Sequence, residues 1–225
     1  MIEYLIKSTV AIALLLGLYY LLFEREKMHR FNRFYLLGGL LFALVLPFIS
    51  LPTVYNKTIL QDITLIPLVL KQEPVTQQTN QNPLQLIVFS IYIIIAVALL
   101  IRFFRNIAAF RSKIKSGKTI RYKNAVLVLL DEDVLPHTFL NYIFLNAEDY
   151  YSKTIENELY THEITHVNQK HTLDIIFIEL LKIVFWINPL LYFYKKAIQL
   201  NHEFLADENV IKTYNHAASY QNCCS

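Results

Sequence analysis

The chain has 225 residues, of which 55% are hydrophobic and only 17% are charged, and its mean hydropathy is +0.35. This composition is too apolar and too sparsely charged for an ordinary soluble domain of the same length. We attribute the small net charge of +3 to membrane orientation, not to a nucleic-acid partner. The composition therefore indicates a membrane protein.

Three apolar runs have the dimensions of a membrane span, which needs about 20 residues. They cover residues 4–23, 34–51 and 84–101. The first run could be a cleaved signal peptide, but no small-residue cleavage site follows it, so we prefer an uncleaved span. In the second run, Pro47 is expected to kink the last turn. The sequence thus predicts three transmembrane helices.

The distribution of Lys and Arg predicts the orientation of these spans. Residues 24–33 contain four basic side chains, and residues 102–123 contain eight and no acid, whereas residues 52–83 contain only two. We therefore expect the N-terminus and the 52–83 loop outside, and everything from residue 102 onward in the cytosol. The 102–123 run directly abuts a span, so no direct nucleic-acid partner is expected.

The pattern changes to that of β-strands after the third span. Thr119 to Leu130 predicts one strand, residues 131–133 predict a turn, and Thr138 to Leu145 predicts a second strand. These strands are either plain scaffold or an edge to which an extended peptide adds as a further strand. The sequence leaves both alternatives open.

A metal-binding motif, HExxH, follows at residues 162–166. On a helix, His162 and His166 lie one turn apart on the same face and can bind one zinc ion. Glu163 lies about a quarter-turn round the helix, where it can reach a water on the metal without binding the metal itself. Because HExxH also arises by chance, the interpretation depends on a third ligand.

The third ligand is expected from a second helix. The metzincin pattern needs Gly and His where this chain has Gln169 and Thr172, which excludes that class. His171 is one residue out of register, and we interpret it as a helix-end residue. Glu203 completes a His₂Glu set with an open position for water, and Asp207, one turn on, can accept the free ring N–H of a ligand histidine. Alone, this segment would be a solvated helix face; the upstream motif favours zinc.

Residues 173–194 are apolar enough for a fourth span, which would place Glu203 across the membrane from His166. However, the dipeptide Asn188-Pro189 is a good helix start. The preceding helix is then about 15 residues or 22 Å long, too short to cross the ~30 Å hydrocarbon core. We therefore predict a helical hairpin at 172–211, buried in protein or dipping into the inner leaflet, that returns Glu203 to the metal.

These motifs resemble a known family. N-terminal spans followed by His162-Glu-Ile-Thr-His166, Trp186-Ile-Asn-Pro189 and Glu203-Phe-Leu-Ala-Asp207 resemble the BlaR/MecR type of membrane zinc metallopeptidase. The resemblance covers nearly the whole chain, although only residues 160–210 are motif-specific. It implies zinc at His162, His166 and Glu203, with Glu163 as general base, in a cytosolic domain. The best-known members sense β-lactams and trigger loss of a transcriptional repressor, but we expect a member without the sensor domain.

We therefore expect a mainly α-helical membrane protein, with three transmembrane helices in residues 1–104 and a small α+β, gluzincin-like zinc metallopeptidase domain in residues 105–225. One hypothesis is an endopeptidase that cleaves a cytosolic or membrane-proximal protein, such as a repressor or itself, in signal transduction. The other is a non-catalytic transducer or partner-binding module with a structural zinc site. Glu163 favours the peptidase, because structural zinc usually has four protein ligands and needs no adjacent carboxylate. A homodimer is left open.

Overall fold

The computed structural model describes residues 2–49 and 83–223, so the predicted 52–83 loop lies outside the described residues except for its last position. In chain order the elements are α1 (Ile2–Leu18), α2 (His29–Val45), α3 (Pro83–Ser116), β1 (Lys118–Tyr122), β2 (Ala125–Leu130), β3 (His137–Phe139), β4 (Tyr142–Asn146), α4 (Ala147–Ser152), α5 (Asn157–Asn168), α6 (His171–Val184) and α7 (Leu190–Cys223).

Three helical segments of the described chain are long and apolar enough to cross a membrane: Glu3–Phe23, His29–Phe48 and Pro83–Ser116. The first joins α1 to a π-helical turn, and the second joins α2 to a 3₁₀ turn. Pro47, which was expected to kink the last turn of this span, lies in the 3₁₀ turn, since proline cannot donate the hydrogen bond that would continue the α-helix. The prediction of three membrane helices near the N-terminus is confirmed, and α3 extends beyond the predicted end of its span at residue 101.

The helices α6 and α7 form the predicted hairpin. Asn188 lies at its tip, where its side-chain oxygen accepts the backbone N–H of Leu190 at 3.0 Å and so caps the start of α7. The side-chain amide of Asn188 donates to Thr9 Oγ1 at 3.1 Å. The tip of the hairpin therefore lies beside the first turns of α1.

The hairpin lies alongside the membrane helices for nearly the whole length of α2. Arg33 near the start of α2 bonds to Asp174 near the start of α6. At the other end, the hydroxyl of Tyr4 donates to the Leu44 carbonyl at 2.9 Å, and its ring stacks 6.2 Å from that of Phe185. Since α7 then runs back, Glu203 returns to the end of the bundle where α6 begins. This arrangement removes the topological conflict that a fourth span would create.

A single apolar core joins the hairpin to α1 and α2. Its buried side chains include residues of all four helices, and burial of each large apolar side chain stabilises the packing by roughly 1.5–3 kcal/mol. They are Ile12, Leu16, Tyr19, Leu36, Leu40, Ile178, Leu191, Tyr194 and Ile198. The outward side chains of the hairpin, by contrast, include exposed Val184 and Phe193. Apolar groups exposed on that side suit contact with lipid.

The sheet has four strands in the order β1-β2-β4-β3, where two strands were predicted. The predicted 119–130 strand is an antiparallel hairpin that turns at Lys123, and the predicted 138–145 strand is another that turns at Leu140. Both turn residues adopt a left-handed backbone, with φ of 50° and 52°. The prediction was wrong because left-handed turn positions usually carry Gly, Asn or Asp, and neither of these positions does.

The sheet lies between α5 and the C-terminal part of α3. Alternate residues of β2 point to opposite faces, so Leu127 and Leu129 pack towards α5 with Ile164, whereas Val128 and Leu130 pack towards α3. Gly117 connects α3 to β1 where the chain passes close to β2. A Cβ at this position would lie 2.8 Å from the carbonyl oxygen of Leu129, so only glycine fits.

Candidate metal centre

The helix α5 brings His162 and His166 together. The two residues are one turn apart, and their Nε2 atoms lie 3.1 Å from each other. The inner face of α5 is held on the sheet by Ile164 and Val167, which are both buried. This packing turns both imidazoles towards α7, as the i, i+4 spacing predicts.

The helix α7 adds Glu203 to this pair. One carboxylate oxygen lies 3.3 Å from His162 Nε2 and the other lies 3.9 Å from His166 Nε2. In the described part of the chain these three residues form a group that could hold a metal ion, with ligand atoms within 4.8 Å of one another. Ligand atoms about 2.0–2.1 Å from a tetrahedral zinc lie about 3.3–3.4 Å apart. The donor set and its spacing therefore fit zinc.

Contacts and burial shift the pKa values of His162, His166 and Glu203. Its hydrogen bond to Glu203 raises the pKa of His162, and the same bond lowers the pKa of Glu203. Burial lowers the pKa of His166 to about 4, so this imidazole is neutral near pH 7 and its lone pair is free to bind a metal. The three side chains thus provide one carboxylate and two nitrogen ligands on one small surface.

Asp207 lies behind the trio. Its Oδ1 is 3.0 Å from Nδ1 of His162, while Nε2 of the same ring faces Glu203. The imidazole of His162 can therefore present Nε2 to a metal and donate Nδ1–H to a carboxylate, an arrangement common for zinc-binding histidines. The orienting role of Asp207 stays a prediction.

Glu163 lies beside the trio and is 7% exposed. The hydroxyl of Thr138, on β3, donates to its Oε2 at 2.6 Å. Burial raises the pKa of Glu163, and the Thr138 hydrogen bond opposes that rise. A carboxylate with a raised pKa is a better proton acceptor near neutral pH than an exposed one. The charge and position of Glu163 suit a general base.

A family model described as BlaR1 peptidase M56 matches residues 1–221. The chain belongs to the BlaR1 peptidase family. Members of this family are generally metallopeptidases. The match of the family model confirms the resemblance to BlaR/MecR-type peptidases that the motifs indicated. No curated protein matches the chain significantly. Family membership and the three long apolar helices together establish a membrane protein of the peptidase type.

Four residues near the metal centre of this BlaR1-family chain were missed or given no function from the sequence: Thr138, His171, Asp174 and His202. His171 does begin a helix, as expected, but it is 2% exposed and its Nδ1 lies 2.9 Å from Nδ1 of His166. Burial lowers the pKa of His171 to about 2, so the ring is neutral. Its contact with His166 depends on the α5–α6 corner, where Lys170 has a φ of 55°. Helical periodicity does not extend across such a corner.

A cavity of about 790 Å³ opens beside the candidate metal centre. The contacts of α3 include Tyr92 against Trp186, and Phe110 stacked 4.3 Å from Phe139. Residues of α3, α6 and α7 line the cavity. Its lining includes His166 and Glu203 as well as Thr138 and Phe139 of β3. The cavity thus extends from α3 to the candidate metal ligands.

Proposed function

We propose that the chain is a zinc metalloendopeptidase that hydrolyses peptide bonds of a protein substrate at the membrane. The observation that carries this proposal is the meeting of His162, His166 and Glu203 beside the buried carboxylate of Glu163. A structural zinc site would need a fourth protein ligand. Within the described residues the cluster holds only these three, which leaves a position for water.

Each residue has a separate role in this proposal. His162, His166 and Glu203 would hold the zinc ion, which supplies Lewis acidity for peptide hydrolysis when it is bound. Glu163 accepts the proton of the attacking water and then transfers it to the leaving amine. Asp207 fixes the ring of His162, and Thr138 holds the carboxylate of Glu163 through its hydrogen bond to Oε2.

The substrate is proposed to bind along β3. This strand forms one edge of the sheet, and its Thr138 already contacts Glu163. Thr138 and Phe139 line the same cavity as two of the metal ligands. An extended peptide that adds to this edge by main-chain hydrogen bonds would pass the metal centre. Of the two alternatives for these strands, the geometry favours a substrate-binding edge.

We place this activity on the cytosolic side, with the N-terminus and the 52–83 loop outside, because of the Lys and Arg distribution. The substrate is then a cytosolic or membrane-proximal protein, such as a transcriptional repressor or the chain itself, and cleavage serves signal transduction. The division into a membrane part, 1–104, and a peptidase part, 105–225, is also a proposal. The hairpin belongs to the second part but shares its core with α1 and α2.

The proposal can be tested with the purified full-length chain in nanodiscs and a peptide library prepared from a proteome digest. We expect new peptide ends that are lost when zinc is removed with a chelator and restored when zinc is returned. The Glu203→Ala variant should bind no zinc and produce no new ends. Zinc-independent cleavage, cleavage by Glu203→Ala, or the absence of cleavage by the zinc-loaded chain would overturn the proposal and favour a non-catalytic transducer.

A further inference from the structure

A second cluster of polar side chains lies behind the candidate metal centre, at the junction of α2, α6 and α7. Arg33 donates from Nε to Asp174 Oδ2 at 2.7 Å, and Nε2 of His202 lies 2.9 Å from the same oxygen. Asp174 is 8% exposed and His202 is 2% exposed. Burying such groups costs stability unless they are paired, and here each has a partner.

The cluster reaches the metal ligands through His171. The rings of His171 and His202 are stacked, with centroids 4.0 Å apart and planes 4° from parallel. The Nδ1 atom of His171 lies 2.9 Å from Nδ1 of His166. A contact between two ring nitrogens is a hydrogen bond only if one carries a proton and the other does not.

The positions of His162 and Glu203 decide which ring nitrogen of His166 carries the proton. Nε2 of His166 faces His162 and Glu203, so its lone pair is the one available to a metal. Nδ1 of His166 must then carry the hydrogen and donate to Nδ1 of His171. The hydrogen of His171 is left on Nε2, which lies 3.2 Å from the side-chain oxygen of Gln169. Each bond in this series therefore has one donor and one acceptor.

Arg33 also holds the corner between α5 and α6. Its second nitrogen, Nη2, donates to the main-chain carbonyl of Gln169 at 2.8 Å. One guanidinium thus contacts both the end of α5, which carries His166, and the start of α6, which carries His171. Arginine can make two such bonds at once because its donors are fixed in a plane, whereas a lysine ammonium is a single flexible point charge.

We propose that Arg33, on membrane helix α2, is a positioning residue that couples this helix to the metal centre through Asp174, His202 and His171. The coupling rests on the proposed function only in requiring that the trio binds zinc. Through His171, this series of contacts orients the ring of His166, in the same way that Asp207 orients the ring of His162. A shift of α2 that separates Arg33 from Asp174 therefore weakens zinc binding. This gives the membrane region a direct route for regulating the peptidase site.

A purely structural role for Arg33 makes a different prediction. Loss of a partly buried ion pair would lower the melting temperature without a specific effect on zinc. The test therefore measures two quantities for the zinc-free and zinc-loaded full chain in nanodiscs: the zinc dissociation constant, by competition with a chelating dye, and the melting temperature. Neither readout depends on peptide hydrolysis.

We expect Arg33→Met, Arg33→Lys and His171→Phe each to weaken zinc binding by about 10–100-fold. His171→Asn should bind zinc more tightly than His171→Phe, because its amide oxygen can accept the His166 N–H. The matched control is Arg30→Met, an exposed arginine on the same helix, which should bind zinc like the wild type. The Arg33→Met/His171→Phe double variant should be less weakened than the two single effects multiplied, because both residues act in one series of contacts.

The outcomes separate this inference from the proposed function. If the wild-type chain binds no zinc, the proposed function fails and the coupling fails with it. If the Arg33 variants bind zinc as well as the wild type does, only the coupling is overturned. This holds whether or not the melting temperature of the variants is lower. Independent effects of Arg33→Met and His171→Phe would also overturn it.

Discussion

Asp207 Oδ1 lies 3.0 Å from Nδ1 of His162. Asp207 is on α7, one helical turn after Glu203. The helix α7 therefore carries both a candidate metal ligand, Glu203, and the carboxylate proposed to orient another candidate ligand, His162. The same helix begins at the tip of the hairpin and packs on α1 and α2 through Leu191 and Tyr194. One continuous helix thus connects the membrane core to the metal centre.

Replacement of Asp207 by Asn should weaken zinc binding by about 10–100-fold, because an amide is a poorer acceptor for the His162 N–H than a carboxylate is. Glu208→Gln is a matched control, since Glu208 is the next residue on α7 and pairs with Lys212, not with a candidate ligand histidine. Zinc affinity can be measured by competition with a chelating dye. If the two substitutions change the zinc affinity equally, Asp207 acts only as a surface charge and does not orient His162.

The activity should fall as the pH falls through the raised pKa of Glu163, because only the ionised carboxylate accepts a proton. Thr138→Val removes the hydrogen bond that lowers this pKa, so the pKa rises further and the acid limb of kcat/KM moves to higher pH. Valine keeps the β-branched shape that suits a strand. The control is Thr161→Val on α5, because the Thr161 hydroxyl donates to the Asn157 carbonyl and not to Glu163. An acid limb that stays in place or moves to lower pH contradicts this role of Thr138.

Local helical spacing accounts for the parts of the site that the sequence predicted. His162 with His166, and Glu203 with Asp207, are i, i+4 pairs, and each pair meets because a single helix carries it. The pairing of the two helices was inferred from zinc chemistry and from Asn188-Pro189, which marks the start of α7. That inference needed no knowledge of the tertiary packing.

The remaining contacts depend on tertiary packing. Arg33 and Asp174 are 141 residues apart in sequence, and no periodicity relates them. In the sequence, Arg33 was one of several basic residues that indicated orientation, and its bond to α6 exists only because the hairpin packs on α2. The contact between Thr138 and Glu163 likewise depends on β3 being an edge strand beside α5. The sequence did not predict β3 as a separate strand.

The orientation of the chain can be tested with single cysteines and a membrane-impermeant thiol reagent in intact cells, after Cys223 and Cys224 are changed to Ser. A cysteine at position 60 should be labelled, whereas cysteines at Lys115, Lys170 and Lys212 should be protected until the cells are opened. The last three side chains are exposed in the structure, so protection reports on the membrane. Labelling at 212 with protection at 170 in intact cells would mean that residues 173–194 cross the bilayer, against the hairpin.

The most direct test of the central claim is a comparison of wild type and Glu163→Gln for zinc content and peptide hydrolysis. The amide cannot accept a proton from water, but it has nearly the same size and can keep its contact with Thr138. We predict that the variant retains about one zinc per chain and an unchanged melting temperature while its hydrolysis of the peptide library is lost. Undiminished hydrolysis by zinc-loaded Glu163→Gln would contradict the account.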